Sequence, residues 1–228
     1  MAHWRLWSSW PAPFIREQLE QARTARPNVD AAEEDMTGEH GWHHYYSEAV
    51  IATAADDDDR FTRARVALAN YQFSDPAIVL AHFDPAEPLL RRCMLLEIQV
   101  FGLHYLCPAV VNRVRDEARA FGFRYDTLEG HIERGVEWFL LTQDDQGKIR
   151  FRIEARWQKG EFPNWWSRIG FMVVSGYYQR KWHRLAHNRL SLLAYHGSTR
   201  RPARDETGLT HQGVDVTFTY HTKRKWFS

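Results

Sequence analysis

The stretch that most constrains the fold is residues 121–137, which predict two β-strands joined by a polar loop. In its first part, large apolar or aromatic side chains occupy every second position, and Arg124 and Asp126 lie between them. This alternation is typical of a strand with one buried face. Gly130 and Gly135 then indicate a loop, after which apolar residues again occupy every second position. The chain therefore places a polar loop between two apolar strands.

This loop concentrates a threonine, a histidine and two carboxylates: Thr127, His131, Glu133 and Glu137. Histidine titrates near neutral pH, and burial raises the pKa of a glutamate enough for it to act as a general acid or base. Glu97, embedded in an apolar strand, is a further carboxyl of this kind. We therefore take His131, Glu137 and Glu97 as candidate catalytic residues. A structural role for His131, bonded to loop backbone or to Glu133, is the alternative.

Aromatic residues make up 14% of the chain and include ten tryptophans. This content indicates either an aromatic-lined cavity or an aromatic-rich core. If a cavity exists, we expect its ligand-binding residues on the strands around the polar loop and on the long C-terminal helix. The candidates are Tyr125, Thr127, Gln99, Phe123, Trp138 and Tyr177.

Further strands are predicted on both sides of the central stretch. Residues 93–101 alternate, and residues 103–114 form a second run in which Pro108 indicates an edge or a bulge. Residues 138–142 and 148–157 read as a hairpin, since a turn sequence joins them and the second arm alternates apolar with charged side chains. Together with the central strand these give about five antiparallel strands. A last alternating segment lies near the C-terminus, at 214–220.

Helical spacing of apolar residues appears in three places: from residue 14 to 25, from 61 to 71 and from 164 to 196. In the longest helix we expect a buried stripe through Trp166, Ile169, Val173, Tyr177 and Arg180. A helix of this length must cover one face of the sheet, which predicts an α+β fold in which a curved antiparallel sheet grips the C-terminal helix. A cavity between sheet and helix is expected in such a fold.

The domain prediction divides the chain into three parts. Residues 1–37 form an N-terminal helical extension, residues 38–196 form the core domain, and residues 197–228 contain a linker, a possible extra strand and a basic tail. At 228 residues the chain is long enough to bury a sizeable core.

Composition excludes several classes of protein. Lys plus Arg number 30 and Asp plus Glu 29, so net charge indicates neither a nucleic-acid nor an acidic partner. Cys93 and Cys107 give neither a disulfide framework nor a zinc pattern. No apolar run approaches the roughly 18 residues of a membrane span, and no signal peptide is recognisable. We therefore expect a cytoplasmic protein, and we expect no cofactor because no phosphate-binding or nucleophile motif is present.

Two local segments leave other chemistry open. If residues from about 40 onward are helical, His40 and His44 share a face at the spacing that zinc sites use, although no third ligand is identifiable. Basic residues alternate with tryptophan and histidine in 180–184, and further basic residues follow at 200–201 and 223–226. Such segments suit phosphate contacts and base stacking, but they are more often a solvated helix face and a tail.

The central stretch resembles the family called domain of unknown function nineteen-ninety. Departures from the family pattern occur at Asp126, Glu129, Ile132 and Val136. The similarity spans residues 61–157 and continues loosely into the long helix. The resemblance implies a helix-grip fold, like that of the START and birch-allergen groups, whose members bind apolar ligands between sheet and helix. It implies no established reaction. The matching residues are Tyr125, Thr127, Leu128, Gly130, His131, Glu133, Gly135, Glu137 and Phe139.

Three functions follow as hypotheses. The first is binding of a hydrophobic or aromatic small molecule in the cavity. The second is a cofactor-independent enzyme of the cyclase, dehydratase or hydrolase type, in which His131 works with Glu97 or Glu137. The third is nucleic-acid binding through the basic C-terminal segments, which is disfavoured because such segments are more often a solvated helix face and a tail.

Overall fold

An antiparallel sheet of nine strands curves around the C-terminal half of a long helix. The computed structural model describes residues 3–7, 10–54, 59–160, 165–197 and 214–221, with the backbone alone for 165–175 and 220–221. The helices are α1 (Ala12–Thr24), α2 (Arg60–Ala69) and α3 (Trp165–His196). Two short 3-10 turns lie at Glu33–Asp35 and Gly38–His40. The strands are β1 (His3–Leu6), β2 (His43–Thr53), β3 (Val79–His82), β4 (Cys93–Val100), β5 (Leu103–Glu117), β6 (Ala120–Thr127), β7 (Glu133–Gln143), β8 (Lys148–Lys159) and β9 (Thr217–His221).

The strand order is β3-β4-β5-β6-β7-β8-β2-β9, with β1 paired to β5 beside this path. The strands β4 to β8 follow one another as a meander, as their sequence pattern predicts. The α+β, helix-grip prediction is confirmed. The count of about five strands was too low, because β1, β2 and β3 were not recognised.

Each face of the sheet carries the side chains that alternation predicts. On the inner face, Phe123, Phe139 and Phe151 form the centre of the main core together with α2 and α3. The outer face of β4 and β5 is also covered, because α1 packs Ile15 and Ala22 against it. Both faces of β4 are therefore buried, which explains why apolar residues occur on both of them.

The buried stripe of α3 differs from the predicted one. Tyr177 is 65% exposed, and Arg180 is exposed as well, while the side chains of the three earlier positions lie outside the described residues. The buried positions recur at the helical period further along, and they include polar residues. They are Trp182, His183, Ala186, His187, Leu190, Ser191, Leu193 and Ala194.

A buried hydroxyl links α3 to the sheet. The Oγ atom of Ser47 on β2 lies 2.6 Å from Nδ1 of His183 and 2.9 Å from Nε2 of His187. One hydroxyl proton can serve only one of these nitrogens, so the other imidazole donates its N–H to Ser47. These two hydrogen bonds hold α3 at a fixed distance from β2.

The segment around His40 is not the helix that a zinc site would require. It forms a 3-10 turn, after which His43 and His44 begin strand β2. In the strand, Nε2 of His44 bonds Oε1 of Glu154 on β8 at 3.0 Å. The helical premise is therefore wrong, because the alternating residues of β2 pair with β8 instead.

Pro108 lies inside the sheet, on β5. One side of β5 pairs continuously with β4, while the other pairs with β1 up to Leu106 and with β6 from Ala109. Pro108 falls in the gap between these two partners, where a missing N–H costs no ladder bond. A bulge does occur in β5, between Val111 and Arg113.

Candidate functional site

A cavity of about 120 Å³ lies between α3 and the inner face of the sheet. Most of its wall is apolar or aromatic, and its polar groups come mainly from the loop between β6 and β7 and from the strand residues next to it. Among the described residues, the lining consists of Tyr45, Tyr71, Ile78, Val79, Leu96, Ile98, Val100, Tyr125, Thr127, His131, Glu133, Gly135, Val136, Glu137, Ala155, Trp157, Tyr178, Gln179, Trp182 and His183.

The sheet register sets the floor of the cavity. Tyr125, Glu137, Ala155 and Tyr45 lie directly opposite one another on β6, β7, β8 and β2, so their side chains form one row on the inner face. The small side chain of Ala155 leaves space between two tyrosines and a glutamate. Within the row the hydroxyl of Tyr125 donates a hydrogen bond to Oε2 of Glu137.

Glu133 and Glu137 are partly buried carboxyl groups that line the cavity, four residues apart on the inner side of β7 with Gly135 between them. Burial raises the pKa of Glu137 to about 7, although the hydrogen bond from Tyr125 acts in the opposite direction. Burial also raises the pKa of Glu133 to about 8, and the negative charge of Glu137 adds to this effect. Near neutral pH the pair therefore carries at least one proton.

His131 is 2% exposed and neutral. Its Nδ1 accepts a hydrogen bond of 2.9 Å from the backbone N–H of Glu133, which places the ring proton on Nε2. Burial lowers the pKa of His131 to about 3, so the ring does not take up a second proton at neutral pH. Its Nε2 is buried without a hydrogen-bond partner in the described structure. His131 therefore presents an N–H donor at Nε2, and its lowered pKa disfavours the proton shuttle considered for it.

Tyr71 follows the C-terminus of α2 in an unusual conformation. The N–H groups of Tyr71 and Gln72 bond the carbonyls of Leu68 and Ala67, the pattern of a Schellman motif. The residue at this left-handed position is normally glycine, but here it is tyrosine with φ 55°. The strained backbone directs the ring toward the cavity, where the hydroxyl is buried and has no partner in the described structure.

Thr127 lines the cavity, but its hydroxyl is occupied by the fold. It accepts the N–H of Gly135 at 2.8 Å and contacts the side-chain oxygen of Asn28 at 2.5 Å. An added Cβ at Gly135 would lie 2.2 Å from the backbone oxygen of Arg156. Thr127 and Gly135 therefore hold the start of β7 close to its neighbours, and so position the two glutamates.

The sequence matches the family model described as Domain of unknown function (DUF1990) over residues 26–189. The chain belongs to this family. A UPF0548 protein of Deinococcus radiodurans is 32% identical over 101 residues, which are 40% of this chain and 51% of that protein. The chain thus spans about half the length of the curated relative that it matches.

Among solved structures, a hypothetical protein from Helicobacter pylori has a similar fold. Its TM-score is 0.50 at 10% identity, and the similarity covers 75% of this chain and 98% of that one. The structure of Ara h 8.0201 is less similar, with a TM-score of 0.43 at 13% identity over 68% of this chain and 99% of that one. At these identities the similarities concern the fold alone.

Glu97, predicted as a catalytic residue, does not line the cavity. It is on the outer face of β4, 1% exposed, and its two oxygens bond Nε2 of His82 at 2.8 Å and Nδ1 of His104 at 2.6 Å. Burial alone would raise the pKa of Glu97, but the hydrogen bonds from the two imidazoles outweigh it and lower the pKa. The expected raised pKa is therefore wrong for Glu97, and the structure does not bring Glu97 together with the other predicted catalytic residues, His131 and Glu137.

Four predicted ligand-binding residues also lie outside the cavity lining. Gln99 is on the outer face and bonds the backbone oxygen of Pro76, and Trp138 donates from its indole to Glu33 on the same face. Phe123 is packed inside the core at 1% exposure. Tyr177 points to solvent, one residue before the lining residue Tyr178. The structure therefore brings together Tyr125, Thr127, His131 and Glu137.

Most of the aromatic side chains that line the cavity were not predicted from the sequence. Tyr45 is an inner-face residue of β2, and alternation through Ser47 and Ala49 could have revealed it. Tyr178 and Trp182 begin an i, i+4 series that continues along the buried side of α3. This spacing is visible in the sequence and could also have revealed them. The left-handed placement of Tyr71 has no local sequence signal, since glycine is the residue expected there.

The described residues hold no group of three metal-ligating side chains close enough to bind an ion. No helix in the described ranges is long and apolar enough to cross a membrane. Of the basic segments considered for nucleic acid, only 180–184 falls within these ranges, where Arg180, Lys181 and Arg184 are exposed on α3. The segments at 200–201 and 223–226 lie outside the described residues.

Proposed function

We propose that the protein binds a small aromatic or otherwise hydrophobic molecule in the cavity between the sheet and α3. The observation that carries this proposal is an interior space walled by apolar and aromatic side chains, with polar groups gathered near the β6–β7 loop. Sites for small molecules have this composition, an apolar wall with a few polar groups that set orientation.

The volume supports a ligand of about one ring. A dry engineered cavity of about 150 Å³ in another protein is large enough to bind benzene, and this cavity measures about 120 Å³. Tyr45 and Trp157 face it from the sheet, and Trp182 faces it from α3. A flat ring between these side chains would bury both of its faces, which is the arrangement that gives aromatic contacts their additional stabilisation.

Calorimetric titration with toluene, phenol and indole tests the proposal. We expect saturable binding of at least one of them, and we expect Ala155→Phe to abolish it because the larger side chain fills the space between Tyr45 and Glu137. Ala155→Ser, which hardly changes the volume, is the matched control and should bind as the natural protein does. Equal affinities in both variants would show that binding occurs outside the cavity and would contradict the proposal.

A second candidate is a cofactor-independent enzyme that moves protons on the bound molecule. It is favoured by one observation, the carboxyl of Glu137, whose pKa of about 7 lies in the range of an efficient general acid or base. Glu137 would exchange the proton, Tyr125 would orient its carboxyl group, and the N–H of His131 would polarise the ligand. Glu97 has no part in this scheme.

Hydrogen–deuterium exchange of 2-indanone in D₂O, followed by proton NMR, tests this second candidate. Its acidic C–H would pass a proton to the Glu137 carboxylate and receive a deuteron back, so that no other reactant is needed. We expect catalysed exchange that falls by about 100-fold in Glu137→Gln, a typical loss for a general base. Exchange at the same rate in Glu129→Gln, a change on the exposed side of the loop, serves as the control. Exchange that persists in Glu137→Gln would exclude the role.

A further inference from the structure

The cavity contains two carboxyl groups that become negatively charged when they ionise, and its described lining residues offer no cationic side chain to compensate that charge. Glu133 and Glu137 are the acidic residues of its lining, and no lysine or arginine is present among the described lining residues. The two histidines do not supply the missing charge, because burial lowers the pKa of His131 to about 3 and that of His183 well below its usual range. Buried carboxylates are normally paired with a cation, since an unpaired charge in the interior is costly.

We infer that the ligand of this cavity is a small aromatic amine, bound as its ammonium form with the nitrogen beside Glu133 and Glu137. This inference deepens the proposed function and rests on it: the ring occupies the apolar space, and the ammonium supplies a positive charge that the described lining residues lack.

The aromatic wall fits the same ligand. Rings from three separate parts of the fold line the cavity, including Tyr45 and Trp157 from the sheet, Trp182 from α3 and Tyr71 from the turn after α2. The faces of such rings attract organic cations, and groups of them form the sites that recognise ammonium ligands. A cavity built only for neutral apolar ligands would not need two carboxyls at its polar end.

The hydroxyl of Tyr71 provides an independent observation. It is buried and lacks a hydrogen-bond partner in the described structure, although its backbone adopts a strained conformation that places it at the cavity. Buried hydroxyls almost always have a partner, so an unpaired one that lines a cavity indicates a group supplied by a ligand. An ammonium has three N–H donors, and the oxygens of Glu133, Glu137 and Tyr71 are acceptors for them.

An inorganic cation fits less well. Calcium takes six to eight oxygen ligands, and magnesium requires a nearly ideal octahedron. Within the described ranges no group of three suitable side chains could hold a metal ion. An organic cation needs no such shell, because its hydrogen bonds and its ring contacts replace it.

Ionisation of the carboxyls should couple to binding. Other titratable side chains that line the cavity come from β2, the turn after α2, β6, the loop before β7, and α3. These side chains are Tyr45, Tyr71, Tyr125, Tyr178, His131 and His183. Burial raises the pKa of Tyr71 and Tyr125 well above its usual value, and it lowers the pKa of the two imidazoles well below theirs, so none of these four changes charge between pH 6 and 8.5. The two glutamates are the groups whose charge changes in this range.

The test compares phenethylamine, 2-phenylethanol and phenylacetate, which share a ring and a short chain but carry positive, zero and negative charge. Calorimetry at pH 8 should show phenethylamine binding at least about tenfold more tightly than the alcohol, a difference of about 1.4 kcal/mol, and phenylacetate binding weakest. The affinity for phenethylamine should rise between pH 6 and pH 8.5, with release of protons, while that for the alcohol stays constant.

Variants separate this inference from the proposed function. The double variant Glu133→Gln, Glu137→Gln should lose the preference for the amine and keep its affinity for 2-phenylethanol, whereas Glu129→Gln should keep both. Equal binding of amine and alcohol to the natural protein, or tightest binding of phenylacetate, would overturn the amine inference and leave the cavity proposal intact. Binding of none of the three would overturn both.

Discussion

Two buried carboxyl sites on opposite faces of the sheet behave in opposite ways. On the outer face Glu97 accepts hydrogen bonds from His82 and His104, and its pKa is lowered. On the inner face Glu137 accepts a hydrogen bond from the phenol of Tyr125, lines the same cavity as a second carboxyl, that of Glu133, and has its pKa raised to about 7. Both are glutamates within apolar strands, and burial alone would raise the pKa of each.

The comparison shows that the partners of a buried carboxyl, and not its burial, decide what it can do. Glu97 is ionised and connects β4 to both neighbouring strands, because it accepts hydrogen bonds from His82 on β3 and His104 on β5. Glu137 is close to half-ionised near neutral pH and faces an open space. A carboxyl held in this state is available to a ligand or to a proton transfer, which Glu97 is not.

The largest expected effect is on stability. Glu97→Gln removes the anion that both imidazoles contact, and should lower the free energy of unfolding by about 3 kcal/mol. Glu137→Gln replaces a carboxyl that is already largely protonated, and should change it by less than about 1 kcal/mol at pH 6.5. Urea denaturation of both variants measures the difference. If the two substitutions cost the same, the contrast between the two faces is wrong.

The pH dependence of stability should come from the inner face. Between pH 6.5 and 8 the native state holds protons on Glu133 and Glu137 that the unfolded chain has lost, so stability falls as pH rises toward 8. Below pH 6.5 the buried imidazoles of His131, His183 and His187 act in the opposite direction, because the unfolded chain binds protons there that the native state does not.

Between pH 6 and 8.5 we expect the free energy of unfolding of Glu137→Gln to fall by about 1–2 kcal/mol less than that of the natural protein. Denaturation curves across this range, for the natural protein and the variant, measure it. Parallel profiles for the two proteins would show that Glu137 ionises normally in the folded state.

Loss of the phenol donor should sharpen the contrast further. In Tyr125→Phe the hydrogen bond that lowers the pKa of Glu137 is gone, so this pKa should rise above about 7. Carbon NMR of labelled glutamate side chains, titrated from pH 5 to 9, reports the change. A pKa that stays the same or falls would mean that Tyr125 does not donate to Glu137 in solution.

The smallest effect on stability is expected for Tyr71→Phe. The hydroxyl that it removes has no hydrogen-bond partner among the described residues, so the free energy of unfolding should change by less than about 0.5 kcal/mol. The affinity for phenethylamine should nevertheless fall, because an acceptor for the ammonium is lost. A marked loss of stability with unchanged affinity would show that this hydroxyl serves the fold.

Much of the fold could be predicted from the sequence. Alternation in residues 121–127 and 148–157 correctly assigned the inner and outer faces. In 148–157 the pattern arises because one face of the strand is partly solvated, whereas in 121–127 the outer face is buried but carries the ion pair of Arg124 and Asp126. Strand β4 was ambiguous, since α1 covers its outer face and both faces are apolar. Its register against β3 and β5 decided that Glu97 lies outside.

The sequence by itself determined the curved sheet, the long helix and the polar loop, since periodicity and turn residues are local properties. It also brought His131, Glu137, Tyr125 and Thr127 to attention. Only the tertiary structure decided which side chains share a space and which charges are paired. Alternation assigns a residue to a face of the sheet. Its pKa and its hydrogen-bond partners depend on other elements of the fold, as in the bond that His82 on β3 donates to Glu97 on β4.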